Sequence, residues 1–184
     1  MTHVAVVGGG PAGLSAALFT AKNDLETTVF DADETWMHKA HLFNYLGIES
    51  EDGTAFVEDA REQVAGFGVD HRETEVTGVS EAEDGFTVAT EDDEVEADYV
   101  VLATGADRSL ADDLGASFTD EGVVDVDVDM ETSVQGVYAT GAMVRAEEWQ
   151  AIIAAGDGAA AALNILSTEK GEHYHDFDVP DDAA

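Results

Sequence analysis

The chain contains no cysteine in its 184 residues. Disulfides, thiolate metal sites and any Cys-x-x-Cys redox pair are therefore excluded from its chemistry. Cations are nearly as scarce: seven Lys plus Arg stand against 41 Asp plus Glu, a formal net charge of −34. A surface of that sign repels polyanions, so neither nucleic acid nor an anionic membrane is expected as a partner. No apolar run is read as reaching the roughly 18 residues that cross a bilayer, and no basic stretch followed by an apolar core opens the chain. The expectation is a cytoplasmic protein without leader or anchor.

What is present argues for a folded domain. Hydrophobic residues make up 45% of the chain, too many for a disordered polyanion, and the length suits one domain with a full core. Acids fall between apolar positions, as in Val123-Val124-Asp125-Val126-Asp127-Val128-Asp129. Such a composition resembles that of haloarchaeal proteins, whose acidic surfaces stay soluble where concentrated salt screens self-repulsion. The charge is read as an adaptation to solvent rather than as part of a site.

The richest segment is the first. Val4 to Val7 is apolar, Gly8-Gly9-Gly10-Pro11-Ala12-Gly13 follows, and Leu14-Ser15-Ala16-Ala17-Leu18-Phe19 reads as a helix. Gly8, Gly10 and Gly13 have the G-x-G-x-x-G spacing of a dinucleotide fold. Gly8 lets the chain turn out of the strand, Gly10 leaves room for a pyrophosphate against the backbone, and Gly13 lets the helix pack on the strand. The helix start offers N–H groups and a positive dipole end to phosphate. Glu26-Thr27-Thr28-Val29-Phe30-Asp31 reads as a second strand. It ends in an acid near the spacing of about 20 residues expected for a ribose-binding carboxylate.

Further along, residues 54–67 read as an amphipathic helix with Phe56, Ala60, Val64 and Phe67 on one face. Residues 73–81, 86–90 and 94–97 predict a three-stranded antiparallel meander turning at Asp84-Gly85. Tyr99-Val100-Val101-Leu102-Ala103 has the continuous apolar character of a buried parallel strand. Residues 123–128 alternate like another strand, Gly136-Val137-Tyr138-Ala139-Thr140 reads as a buried one, and residues 150–166 as an Ala-rich helix. The fold class expected is α/β: a Rossmann-like domain with a central parallel sheet, helices on both faces and the meander. It spans residues 1–166, with an irregular, loosely held tail at 167–184. The small residues of the last helix suit core packing or a dimer face.

Three stretches together carry a resemblance: Val6-Val7-Gly8-Gly9-Gly10-Pro11-Ala12-Gly13-Leu14-Ser15-Ala16-Ala17, then Leu102-Ala103-Thr104-Gly105, then Val134-Gln135-Gly136-Val137-Tyr138-Ala139-Thr140-Gly141. In this order they resemble the FAD-binding domain of the thioredoxin reductase-like flavoproteins, the class II pyridine nucleotide-disulfide oxidoreductases, over residues 4–166. The resemblance implies that Gly8, Gly10, Pro11, Ala12 and Gly13 hold the pyrophosphate of FAD and Asp31 its adenosine ribose. It places Asn44 near the flavin, the Val76 backbone at adenine, and Ala103, Thr104 and Gly105 beneath the cofactor. Gly141 and Ala142 then face the ribityl chain and phosphate, and Gln150 and Ala151 begin a helix aimed at the flavin ring, where its N–H groups stabilise negative charge.

Three departures from the family pattern stand out. Ala142 occupies the position of an Asp. Only about thirty residues separate the A-T-G turn from the last motif, against the ~100 of an inserted NADPH-binding domain, and no second G-x-G-x-x-G occurs. With no cysteine the chain cannot itself pass electrons through a dithiol. The resemblance therefore implies an FAD-dependent oxidoreductase fed by a separate donor: a diffusing reduced nicotinamide, a ferredoxin or a partner subunit. The alternative is a non-catalytic FAD- or ADP-type nucleotide-binding module, a sensor, regulatory subunit or flavin carrier. A homodimer is consistent with either.

Smaller candidates read mostly as structure. His38 and His41 have no apparent third metal ligand, and no metal site is assigned; their place in the loop leaves a proton-donor role to flavin open. Trp36, Tyr45 and Trp149 are stacking candidates whose more common use is packing. His173 and His175 read as part of a solvated tail. No side chain stands out as a nucleophile.

Overall fold

The computed structural model describes residues 1–179. Strand β1 (His3–Val7) leads into α1 (Pro11–Lys22) and β2 (Glu26–Phe30). A 3-10 turn at Trp36–Lys39 and the ribbon of β3 (His41–Leu42) with β4 (Glu51–Asp52) precede α2 (Gly53–Ala65). Then come β5 (Asp70–Arg72), β6 (Val76–Glu81), β7 (Phe86–Thr90), β8 (Glu94–Ala97) and β9 (Tyr99–Leu102). The short α3 (Ser109–Asp113), β10 (Val137–Ala139), a 3-10 turn at Gly141–Val144 and α4 (Ala151–Lys170) complete the order.

Five strands form one parallel sheet in the order β10-β9-β1-β2-β5. Alternate residues of β1, β9 and β10 enter two separate apolar layers, and this is why these strands read as unbroken hydrophobic runs. Val4, Val6, Val29 and Val101 pack with Leu14, Ala17, Val57, Val64, Ala161 and Ile165 of α1, α2 and α4. Ala5, Val7, Phe30, Val100 and Leu102 pack instead with the antiparallel meander β6-β7-β8 and with Leu110 and Ala111 of α3. The α/β architecture expected from the sequence is the one observed, with α3 the sole helix on the meander face among the described residues.

Two glycines let the layers close. A Cβ on Gly13 would lie 1.9 Å from the Gly8 carbonyl oxygen, and one on Gly158 would lie 2.0 Å from that of Ala12. Helix α1 is thus pressed on β1 from one side and on α4 from the other.

Several local expectations are corrected. The first meander strand, expected over 73–81, begins at Val76. Asp70–Arg72 instead forms β5, three polar residues that pair with β2 at the sheet edge. Residues 123–128 form no strand. They make only isolated bridges, Phe118 with Val124 and Val126 with Thr132, because Asp127 Oδ1 accepts from the Asp129 and Glu131 backbone N–H groups (2.9 and 3.0 Å) and turns the chain. On α2 the fully buried positions are Val57 and Val64 rather than Phe56, and Phe67 lies past the helix end, 46% exposed.

Helix α4 runs to Lys170, four residues beyond the sequence estimate, and ends on Gly171 in the left-handed conformation (φ 68°), a common helix stop. It is long and apolar enough by length and composition to cross a membrane, which corrects the reading that no such stretch exists. Here it serves the core: Ala161, Ala162, Ile165 and Leu166 are fully buried against α1 and the sheet.

The described part of the tail is without regular structure past Gly171 and mostly exposed, and it touches the domain through a few side chains. Lys22 Nζ lies 2.7 Å from Asp176 and 2.5 Å from Asp178, Tyr174 OH bonds Asn23 Oδ1, and Lys170 Nζ sits 4.6 Å from the Tyr174 ring centroid. His173 and His175 stack on each other at 6.2 Å. Residues 180–184 of the expected tail lie outside the described residues.

Candidate functional site

In a parallel sheet, crevices form beyond the carboxyl ends of the strands, where successive connections leave in opposite directions. Here β1 sits between β2 and β9, and a cleft of about 710 Å³ opens above those strand ends. Its walls bring together Gly8, Gly10, Pro11, Ala12, Asp31, Val76, Ala103, Thr104, Gly105, Gly141, Ala142, Gln150 and Ala151. Of the residues assigned to the cofactor from the sequence, Gly13 and Asn44 lie off the wall. Gly13 packs beneath it. Asn44 is exposed at the rim, where its Nδ2 donates to Gln150 Oε1 (2.7 Å).

The glycines of the turn differ in what the protein itself requires of them. Gly8 has φ +116°, and a Cβ there would lie 2.3 Å from the Ala103 carbonyl oxygen, so the turns after β1 and β9 touch. Gly10 is different: its φ is −85°, and a Cβ would meet only the Thr35 side chain, Oγ1 at 3.2 Å and Cβ at 3.8 Å. Protein packing alone does not demand its bare backbone. Gly9, passed over in the sequence, carries a strict constraint, since a Cβ would fall 1.8 Å from Asp31 Oδ2.

Two helices begin at this cleft without a side-chain cap and without an acid in the first turn: α1 after Gly10 and α4 after Gln150. In a chain with 41 acids, both starts leave their first N–H groups and positive dipole ends to an outside acceptor.

Asp31, 3% exposed, ends β2 inside a charged cluster that only the fold assembles. Arg61 of α2 donates from Nη2 to Asp31 Oδ2 (2.6 Å) and Asp33 Oδ1 (2.5 Å). His71 Nε2 lies 3.1 Å from Asp31 Oδ2, and the Asp33 backbone N–H donates to Asp31 Oδ1 (2.8 Å). The carboxylate has room for about one further donor, such as a ribose hydroxyl. Hydrogen bonds from Arg61, then His38, hold the Asp33 carboxyl below its ordinary value.

At the other end of the cleft, cations shape the wall from behind. Arg108 donates to three carbonyls, Met143 (2.9 Å), Ala142 (3.0 Å) and Ala106 (3.1 Å), and so ties the A-T-G turn to the Gly141–Val144 turn. Arg145 lines the cleft and binds the buried Asp157 through Nε (3.0 Å) and Nη2 (2.6 Å); that bond raises the guanidinium pKa further. A cation thus stands three residues past Ala142. Arg108→Leu removes three hydrogen bonds at once, although the Met143 carbonyl still accepts from the Val124 N–H (3.0 Å) and that of Ala142 from the Arg145 N–H (3.5 Å). It is expected to lower stability by about 2–3 kcal/mol, from the usual worth of bonds to a charged group. Thermal melting checks this, and no change would mean the two turns hold without it.

The histidines have other partners. His38 Nδ1 lies 3.1 Å from Thr54 Oγ1 and Nε2 2.9 Å from Asp33, while His41 Nε2 bonds Ser50 Oγ (2.9 Å) and its ring packs on Phe43. Neither lines the cleft, and Tyr45 packs on Phe56 away from it. No group of three potential metal ligands occurs among the described residues.

The profile of the Pyridine nucleotide-disulphide oxidoreductase family matches residues 2–106 and 49–159. The chain belongs to this family. Thioredoxin reductase from Helicobacter pylori is 33% identical over 111 residues, 57% of this chain and 36% of that protein. Thioredoxin reductase from Treponema pallidum is 32% identical over 115 residues, again 57% of this chain and 36% of that protein. The chain thus spans little more than a third of the length of these curated relatives. Among solved structures, thioredoxin reductase from Gloeobacter violaceus superposes with a TM-score of 0.86 at 21% identity, covering 98% of this chain and 99% of that one. A ferredoxin-flavin thioredoxin reductase from Clostridium acetobutylicum gives 0.79 at 18%, covering 94% and 100%. At these identities the superpositions speak to fold, and the fold is thioredoxin reductase-like.

Proposed function

We propose that the chain binds FAD non-covalently in this cleft and acts as an oxidoreductase whose electrons come from a separate donor. One observation carries the reading: two uncapped helix starts and the bare Gly8-Gly9-Gly10 turn line one 710 Å³ cleft, a volume within the range of cofactor sites. The residues fit the group. Gly10, Pro11 and Ala12 would receive the diphosphate at the start of α1. Asp31 would take the ribose and the Val76 backbone the adenine, while Thr104, Gly105, Gly141 and Ala142 would line the middle. Gln150 and Ala151 would face the ring, where the start of α4 favours added negative charge. FAD supplies the redox chemistry when bound; the chain supplies seat, orientation and field.

Three observations set this role apart from a self-sufficient thioredoxin reductase. There is no cysteine for a dithiol, the A-T-G turn is joined to β10 by a short connection holding only α3, and Ala142 stands in place of an acid. The donor is then a reduced nicotinamide, a ferredoxin or another subunit. Ala142 also favours a second reading, a non-catalytic FAD- or ADP-type module. The acidic surface supports work in concentrated salt in the cytoplasm, as monomer or homodimer, away from nucleic acid and membranes.

The test is the visible spectrum of the protein purified in high salt and then mixed with FAD. Retained or stoichiometrically bound oxidised flavin is the expected result, and a colourless protein that takes up none defeats the reading. Anaerobic bleaching by NADH, NADPH or reduced ferredoxin supports turnover. Bleaching by dithionite alone favours the non-catalytic module.

A further inference from the structure

The chain has two tryptophans, and the fold brings them together at the cleft. Trp36 opens the turn after β2 and Trp149 precedes α4; their ring centroids are 5.2 Å apart with planes at 56°. Both line the cleft, yet they remain 54% and 43% exposed. Trp149 is held in place, since its Nε1 donates to the Arg145 carbonyl (2.8 Å). The Asn44–Gln150 bond ties the same two stretches of chain together beside them. The loop after β2 therefore arches from the β2 side of the sheet to the β10 side, and the tryptophans close the arch.

Two large aromatic faces left in water and opening on a cleft, that of Trp149 fixed by a hydrogen bond, are surface with unspent binding capacity. The charges beside them select what fits. Glu34, one residue removed from Trp36, and Glu148, adjacent to Trp149, line the same wall with Arg145 beside Glu148, so this end of the cleft carries no excess positive charge to draw a phosphate and suits a neutral planar ring. Diphosphate belongs instead at the uncapped start of α1, next to Gly10.

We propose that Trp36 and Trp149 form the stacking platform for the isoalloxazine ring and set the preference of this cleft for FAD over nucleotides that lack the ring. This rests on the FAD reading above. The tryptophans are positioning residues for the ring half of the ligand and take no part in holding its ADP half.

The experiment titrates FAD and ADP, separately, into the native protein and into Trp36→Leu, Trp149→Leu and the double variant, with calorimetry and flavin emission as readouts. Stacking on one aromatic face is worth about 1–3 kcal/mol, so the FAD Kd is expected to weaken about tenfold per substitution while the ADP Kd stays within about twofold. Phenylalanine at the same positions should restore part of the loss. Bound flavin should be dark in the native protein, where indole contact quenches it, and bright in the double variant. Unchanged FAD affinity overturns the proposal and leaves the FAD reading standing. So does an equal loss for FAD and ADP, or a change of oligomeric state in place of a change in affinity. A native protein that binds neither ligand overturns both.

Discussion

Gly13→Val is expected to lower the melting temperature by roughly 10 °C or more and to abolish nucleotide binding with it. The new Cβ would stand 1.9 Å from the Gly8 carbonyl oxygen and 3.2 Å from Val6 Cγ1. Backbone rather than a flexible side chain is in the way, so α1 itself must move. It has nowhere to go, because on its far side Gly158 meets the Ala12 carbonyl with no side chain between. Overpacking a tight core costs about 1–3 kcal/mol where neighbours can yield and more where they cannot. At about 2–4 °C per kcal/mol for a chain of this size, some 4 kcal/mol gives the stated shift. Circular dichroism melting in concentrated salt is the measurement, and a shift below about 3 °C would show that α1 has slack. Gly156 is the internal control. It lies one turn from the α4 start, exposed, and a Cβ placed on it would meet nothing within 4 Å. Gly156→Ala should stabilise by up to about 1 kcal/mol through helix propensity alone.

What could be read from the sequence follows the distance over which each feature is encoded. The β1-turn-α1 unit was legible because Gly8, Gly10 and Gly13 fall within thirteen residues at a fixed spacing, although the Ala103 carbonyl that Gly8 admits comes from far along the chain. The parallel strands were legible because burial on both faces writes an unbroken apolar run, as at Tyr99–Leu102. β5 escaped because Asp70, His71 and Arg72 hold their place at the sheet edge through backbone pairing with β2, which leaves no hydrophobic signature. Residues 123–128 misled in the opposite sense: alternation implies a strand, yet the side chain of Asp127 captures two backbone N–H groups and turns the chain.

The cleft was legible where backbone makes it and obscure where side chains reinforce it. Arg61 reaches Asp31 across 30 positions, Arg108 reaches Met143 across 35, and Trp36 meets Trp149 from the far side of the chain. One signal was available. Arginine is so rare in this chain that each one had to be assigned to something, and Arg61, Arg108 and Arg145 all stand at or behind the cleft. Scarcity of cations, taken in the sequence as a statement about solvent, is also a map of where the fold requires charge.

Gly10→Val should give the opposite outcome from Gly13→Val although both glycines belong to one motif. Gly10 has φ −85° and ψ −173°, extended backbone open to any residue. A Cβ would touch only the Thr35 side chain, Oγ1 at 3.2 Å and Cβ at 3.8 Å, and a side-chain hydroxyl can give way. Stability is expected to fall by no more than about 1 kcal/mol. Ligand binding is another matter. A diphosphate oxygen must come within about 3 Å of the free N–H groups at the start of α1 to be held by them, and the branched side chain occupies that approach. FAD affinity is expected to drop at least about 100-fold, a loss near 2.7 kcal/mol. Calorimetry beside a melting curve separates the two effects. Should the variant prove less stable than expected, Gly10→Val combined with Thr35→Ala removes the close hydroxyl contact and leaves only the Cβ at 3.8 Å, and the ligand deficit must persist. Full FAD affinity in a well-folded Gly10→Val protein would place the diphosphate elsewhere. The uncapped start of α1 would then have no role in binding, and its lack of any acid would be left without a cause.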